Sequence, residues 1–325
     1  MKKIILTTII ITTVLKTING QQTPIFTQYN MNRFLTNPAV AGIDGLTTIC
    51  LTAREQWLGF KGAPHTHSIS VDTRLFPESF IMRHIPVRKN AQSGTKWGRV
   101  GIGANLYNDH YGQLDKLGLE TAYSYHIPFP QSMLSLGLGI NFYQFSLNTK
   151  KLIKGDDEFD PLIDNGKPRL FVPDANVGIY YTTRTYYAGL SLINAFRASI
   201  QFGNDYTGTY RQYRLINLFA GYRYDLNDDI QIEPTIMLKI PRYFRTLFDL
   251  QVRTIIKDSY WAGIAYRTGK SMGIFGGTRV DRYFIGYAFD VNFTSIQKYT
   301  LGTHEIIAAI KLGKTAKNYK WINNY

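Results

Sequence analysis

Leu134-Ser135-Leu136-Gly137-Leu138-Gly139-Ile140-Asn141-Phe142 sets large apolar side chains at every even position and small or polar ones between them. Successive side chains of an extended chain point to opposite faces, so this stretch carries one apolar row and one small, polar row. On a helix the same residues would be scattered around the whole circumference. The period recurs. Val100, Ile102, Ala104 and Leu106 alternate with Gly101, Gly103 and Asn105, and Ile230, Ile232, Pro234, Ile236 and Leu238 with Gln231, Glu233, Thr235 and Lys239. Phe248, Leu250, Val252 and Thr254 alternate with Asp249, Gln251 and Arg253, and Tyr283, Ile285, Tyr287, Phe289 and Val291 with Gly286, Ala288, Asp290 and Asn292.

Reading each such run as a strand predicts an all-β chain of about fourteen strands, near 46–55, 67–76, 97–107, 114–126, 132–147, 174–182, 185–194, 212–224, 230–239, 246–256, 260–267, 271–280, 282–292 and 304–312. Each is about long enough to cross a bilayer when tilted, which takes roughly 9–11 residues. After Leu15 no apolar run is long enough for a transmembrane helix. An even set of alternating strands fits a transmembrane antiparallel β-barrel of the bacterial outer membrane, greasy outside and polar inside. The polar rows carry Arg54, Glu120, Arg223, Glu233, Lys239, Asp249, Arg253, Arg267, Asp290, Glu305 and Lys311. A charge facing lipid at mid-bilayer costs about 2–4 kcal/mol, so these are expected to point inward. Their mixed signs predict a lumen filled by ion pairs and closed to conduction.

The connections should fall into two classes. Thr183-Arg184, Asn227-Asp228-Asp229, Lys257-Asp258-Ser259 and Asp281 are short turns, and 148–173, 195–211, 240–245 and 293–303 are longer loops at the other end. That asymmetry puts the long loops outside the cell and the N-terminus in the periplasm. The 77–96 connection breaks the rule, being long on the short-turn side. Tyr123-Tyr125, Tyr180-Tyr181, Tyr186-Tyr187, Tyr222-Tyr224, Trp261 and Tyr266 fall near strand ends, where aromatic girdles are expected.

Met1-Lys2-Lys3, the apolar Ile4–Leu15 and the small Gly20 have the form of a cleaved secretory signal over 1–20. The expected organisation is then an N-terminal periplasmic or lumenal segment at 21–45, a barrel at 46–312 and a tail at 313–325. The chain holds 37 Lys+Arg against 23 Asp+Glu. The basic residues are scattered and the protein is exported, so no nucleic-acid partner is expected; membrane lipid, lipopolysaccharide or an acidic partner is the better match. Cys50 stands alone, which excludes a disulfide framework and a thiolate cluster.

No catalytic motif of the serine-hydrolase, metalloprotease, redox or phosphate-loop kind is present. His65 and His67 share a strand face, but two imidazoles fall short of the three or four ligands a metal site takes. His126 and His304 show no evident catalytic partner, and Glu305 is expected to be structural. The acidic run from Asp156 to Gly166 fits no calcium-loop spacing and is expected to be a solvated loop. No cofactor and no enzymatic activity are expected.

Gln56-Trp57-Leu58-Gly59-Phe60-Lys61-Gly62-Ala63-Pro64 follows the first strand. Gly59 and Gly62 permit positive φ and Pro64 stiffens the exit, so Trp57 and Phe60 either anchor a partner or fold into the barrel mouth. This run, from Arg54 to Thr66, resembles the "R-x-Q-W-x-G-F-x-G-A-P-x-T" motif of the PorP/SprF family. The opening Pro24-Ile25-Phe26-Thr27-Gln28-Tyr29-Asn30-Met31-Asn32, the following Asn37-Pro38-Ala39-Val40-Ala41-Gly42, the Asn108-Asp109-His110-Tyr111-Gly112 turn, Gly286-Tyr287-Ala288-Phe289-Asp290 and Gly302-Thr303-His304-Glu305-Ile306 are similar to further motifs of that family. Thr27, Asn30, Val40 and Phe289 depart from its usual pattern. The resemblance implies a type IX secretion outer-membrane protein of Bacteroidota, with other secretion components and a cargo carrying a C-terminal signal domain as partners, adhesins for gliding motility among them. The candidate partner-binding residues are Trp57, Gly59, Phe60, Gly62, Ala63, Pro64, Asp109 and Gly112, with the 148–173 loop beside them. The competing reading is a porin for small solutes.

Overall fold

The computed structural model describes residues 25–75, 99–147, 169–197, 199–201, 209–242, 246–269 and 271–313. The leader, the 77–96 connection, the acidic 156–166 run and the tail beyond Gly313 lie outside them. In chain order the strands are β1 (Thr47–Glu55), β2 (His65–Leu75), β3 (Val100–Tyr111), β4 (Leu114–Pro128), β5 (Ser132–Leu147), β6 (Arg169–Thr183), β7 (Tyr186–Ile193), β8 (Ser199–Gln201), β9 (Thr209–Arg211), β10 (Leu215–Tyr222), β11 (Tyr224–Asp225), β12 (Ile230–Pro241), β13 (Leu247–Ile256), β14 (Tyr260–Arg267), β15 (Ser271–Val280), β16 (Tyr283–Asn292) and β17 (Thr303–Leu312). β8 and β9 pair only with each other, as a small hairpin inside the expected 195–211 loop. β11 continues β10 past Arg223, so the wall has fourteen strands.

Each wall strand pairs antiparallel with its chain neighbour. β1 pairs with β17, and β10 pairs with β12, so the sheet closes on itself. Closure removes every edge, which is what lets a sheet sit in lipid with its backbone satisfied. The alternation sets the exterior: Leu51, Leu106, Leu138, Ile140, Ile264, Ile274, Ile285 and Ile306 all point outward and are 47–62% exposed. Tyr125, Tyr186, Tyr222, Tyr260 and Tyr283 form an outward aromatic ring at one end, and Phe171, Phe248 and Tyr266 at the other. Tyr180, Tyr187 and Trp261 are not in the girdle. They point inward and are at most 2% exposed, because they pack on what fills the lumen.

The end carrying the 56–64 turn is the mouth, and the end carrying the 184–185 turn is the base. Most of the longer connections are at the mouth, but the link from β2 to β3 is long at the base, and two links at the mouth are short, 268–270 between β14 and β15 and the one after β3. β3 and β4 join through Gly112-Gln113 alone, since β3 runs on through Asn108 and Asp109 instead of turning there.

Residues 25–46 fill the lumen. They have no period-two pattern and form two short 3-10 turns, Arg33–Leu35 and Pro38–Val40. Pro38 supplies a preset φ at the start of the second turn, and the Asn37 side chain accepts from the Ala39 N–H at 2.9 Å. Phe34, Ala39, Ala41 and Asn37 are at most 3% exposed. The wall makes room with glycine. A Cβ at Gly137 would lie 2.2 Å from the Ala39 nitrogen, and one at Gly101 would lie 2.1 Å from the Ala41 oxygen. Tyr29, Val40 and Ile43 of the plug pack against Met133, Tyr180, Tyr187, Phe219 and Met237 of the wall.

Candidate functional site: the plugged lumen and its mouth

Inward carboxylates of the wall grip the plug. Glu305 at the mouth end of β17 accepts the backbone N–H groups of Thr27 and Gln28, each at 2.7 Å. Its neighbour Asp290 on β16 accepts the Thr27 hydroxyl at 2.7 Å. Arg54 on β1 donates to both carboxylates, 2.8 Å to Glu305 and 2.7 Å to Asp290, and Arg267 pairs with Asp249 at 2.8 Å. Such buried charges are tolerated because each has opposite charge and directed hydrogen bonds. Nearer the base, Glu233 accepts Arg33 of the plug at 2.8 Å, Arg253 of β13 at 2.7 Å and the Tyr187 hydroxyl at 2.6 Å. The Arg33 guanidinium also lies 3.9 Å from the centre of the Tyr187 ring.

Other contacts fix the path back to β1. Arg74 donates to the carbonyls of Gly42 and Ile43 at 2.9 and 3.0 Å, Asp72 accepts the Gly42 N–H at 2.9 Å, and Lys311 pairs with Asp44. His126 has partners after all. Its Nε2 lies 3.0 Å from the Ala41 carbonyl, which places the proton on that nitrogen, and Ser135 Oγ lies 2.7 Å from Nδ1. A hydroxyl beside an imidazole is the start of a hydrolytic dyad. Here Ser135 is 0% exposed and the far nitrogen is held by plug backbone, so the group acts as an anchor.

At the mouth, the 56–64 turn is tied on both sides. The Leu58 N–H donates to Gly302 O and the Leu301 N–H to Leu58 O, both at 2.8 Å, and the Gly112 N–H donates to Gly62 O at 3.2 Å. Trp57, Gly59 and Gly62 have φ of 55, 90 and 76°. Gly59 would have open space for a Cβ, so glycine is needed there for its backbone angle alone. The turn splits its apolar groups. Trp57 is half-buried, while Phe60 and Leu58 are 45% and 41% exposed, with Leu301 and Tyr299 of the β16–β17 connection each 70% exposed.

The structure brings Trp57, Gly59, Phe60, Gly62, Ala63, Pro64 and Gly112 together at this rim. It removes Asp109 from it. That residue faces the lumen from β3, 5% exposed, and accepts the Thr66 hydroxyl at 2.7 Å, because the strand extends past the expected turn. Arg54, Glu120, Glu233, Asp249, Arg253, Asp290 and Glu305 are all buried inside. Arg223, between β10 and β11, is half-buried and donates to Thr183 O at 3.2 Å. His65 and His67 gain a third imidazole, His110, but it stacks on His65 with centroids 4.5 Å apart, which does not aim the ring nitrogens at a common point. Sequence reasoning left the 21–45 segment either periplasmic or lumenal and did not identify the wall residues that hold it. The clue was present in the inward rows, where Gly101, Gly103, Gly137, Gly139 and Gly178 leave a groove that a filled lumen requires.

A closed antiparallel sheet with an apolar, girdled exterior and a charged, packed interior defines a transmembrane β-barrel protein of the outer membrane. Similar solved structures include a deletion mutant of the TodX monoaromatic hydrocarbon channel, 10% identical over 86% of this chain and 92% of that one, with a TM-score of 0.46. The outer membrane protein Omp33 of Acinetobacter baumannii is 5% identical over 83% and 100%, TM-score 0.43, and CdiB of the same organism 9% identical over 82% and 60%, TM-score 0.43. No curated protein matches the chain. The family described as type IX secretion system membrane protein PorP/SprF matches residues 18–310, and the chain belongs to that family. It is a type IX secretion outer-membrane protein, and other components of that system are its partners by membership.

Proposed function

We propose that this protein is a closed, non-catalytic barrel that supports the secretion and surface attachment of a partner cargo, adhesins of gliding motility among them. The mouth faces outward, and the cargo's C-terminal signal domain docks on the 56–64 turn and on the connection between β5 and β6, which lies outside the described residues. One observation carries the reading: wall carboxylates and plug backbone are mutually committed across the lumen, so the path a diffusing solute or an unfolded chain would need is occupied. A barrel that does not conduct acts through its surfaces. Its rigid exposed feature at the mouth is a turn held on both flanks that presents Leu58 and Phe60. Preorganised apolar groups of this kind lose little entropy on docking and make good anchors.

The test is a pull-down of the tagged protein from outer membranes, beside the secretome of a gene deletion. Recovery of a protein with a C-terminal signal domain, together with its loss from the cell surface in the deletion strain, supports the reading. Phe60→Ser should weaken that recovery at least fivefold while the barrel still assembles. An unchanged secretome with no bound cargo would sink it, and large stable openings of the wild-type protein in planar bilayers would favour the porin reading.

A further inference from the structure

At the mouth ends of β10 and β12 two arginines stand side by side on the outer wall. The Arg242 N–H donates to Arg214 O at 3.3 Å, one step beyond the Leu215–Pro241 pair, so the two residues face each other across the ladder. Both are exposed, on the same outward face as Ile216 and Ile240 and two positions nearer the mouth. Side chains so placed start about 5 Å apart at Cβ, and like charges directly opposite one another repel. The Arg214 Nε donates to Ala195 O at 2.9 Å, which holds the guanidinium by one edge and leaves its two terminal Nη groups for a ligand. Arg197, two residues past Ala195, adds a third cation to the same corner. β7 and β10 have no acidic residue, and those of β12 and β13, Glu233 and Asp249, face the lumen. Toward the base the outward rows turn apolar at once, with Ile216 against Ile240, then Leu218 against Leu238 and Phe248 of the mouth girdle. The arginines thus lie two residues, roughly 7 Å along the strand, beyond the last lipid-facing pair.

That placement restricts the occupant. It must set an anion between two guanidiniums and cover the isoleucines and leucines beneath them. A guanidinium grips a phosphate through two parallel N–H···O bonds, and two guanidiniums side by side hold it from both flanks. An acidic peptide would satisfy the arginines but leave the apolar rows below them uncovered. A lipid with a phosphorylated headgroup does both, its acyl chains lying along Ile216 and Leu218. With the mouth outward, as proposed above, the leaflet at this level is the outer one, and its phosphorylated lipid is the lipid A of lipopolysaccharide. We propose that Arg214 and Arg242 bind a lipid A phosphate on the outer wall and fix the height of the barrel in that leaflet. The site rests on the outward orientation of the mouth, and not on cargo docking.

The full chain, purified in a nonionic detergent, is titrated with lipid A and read by native mass spectrometry. The wild type should retain phosphorylated lipid A and hold the dephosphorylated form about twentyfold more weakly. Arg214→Gln and Arg242→Gln should each weaken binding about fivefold, and the double variant about twentyfold, with folding checked by circular dichroism. Arg214→Lys keeps the charge but loses the two-bond grip, so it should fall between the wild type and Arg214→Gln. Lys61→Gln, which removes an exposed cation elsewhere on the mouth, should change nothing. Equal binding of the two lipid A forms by the wild type overturns the proposal. So does binding unchanged in both folded glutamine variants, an equal loss in Lys61→Gln, or displacement of lipid A by an equal concentration of inorganic phosphate or an acidic peptide. Tighter binding of phosphatidylethanolamine than of lipid A would overturn it too, and would count against the outward mouth; the other failures leave that orientation standing.

Discussion

Replacing Glu305 with alanine should loosen the plug. The carboxylate accepts two buried backbone N–H groups, from Thr27 and Gln28, and one arm of Arg54. Hydrogen bonds to a charged group contribute about 1.5–3 kcal/mol each, so losing the two that reach the plug costs its N-terminal turn about 3–6 kcal/mol. That is roughly 10²–10⁴ in the ratio of docked to undocked plug. Arg54 keeps Asp290 at 2.7 Å, so the wall itself should hold. The hold of Glu233 on Arg33 also remains, and the expected state is a barrel whose plug frays from Ile25 toward Asn32 while Arg33 to Leu46 stays docked. The assay is single-channel recording in planar bilayers, with chymotrypsin cleavage at Tyr29, 3% exposed while the plug is docked, as the second readout. The wild type should be silent and protected, Glu305→Ala should show brief openings and faster cleavage, and Glu305→Gln, which keeps an acceptor oxygen, should fall between. A Glu305→Ala barrel as silent and as protected as the wild type would refute the claim that this carboxylate clamps the plug.

Gly137→Val should displace the plug from the wall side, since even a Cβ there lies 2.2 Å from Ala39 backbone, and the same recordings should show openings. Glu233→Leu strands Arg33 and Arg253 inside the barrel; breaking a buried pair in this way costs about 3–5 kcal/mol, readable as a lower urea midpoint in micelles. Leu138→Arg places a charge on the lipid face at a site 60% exposed, and about 2–4 kcal/mol should be lost in refolding into vesicles, more than for Leu138→Ala.

The wall was legible because the demand on it is local. Tyr283–Asn292 and Thr303–Leu312 lie within a residue of the spans the alternation predicts, and so does Thr47–Glu55. A side chain must face either lipid or lumen, and that choice is written residue by residue. Boundaries failed where strands outrun the membrane. Past the bilayer the outward residues need not be apolar, so Asn108 and Asp109 resemble a turn while still pairing in β3 with Leu117 and Lys116. Aromatics near strand ends misled in another way. Tyr186 and Tyr187 are adjacent, yet one faces the interface and the other the plug, and only the phase of the strand decides which.

By itself the sequence determined a closed, lipid-embedded sheet, its strand number, and the inward placement of its charges, because period-two patterning and the cost of a charge in hydrocarbon act on each residue separately. Tertiary structure alone decided what fills the lumen. Residues 25–46 have no periodicity to read. Their place depends on partners two hundred or more positions away, such as Glu233 for Arg33 and Glu305 for Thr27. Contacts of that separation are fixed by closing the barrel, which brings acceptors on β12 and β17 around one strand-less segment, and no local pattern encodes that convergence.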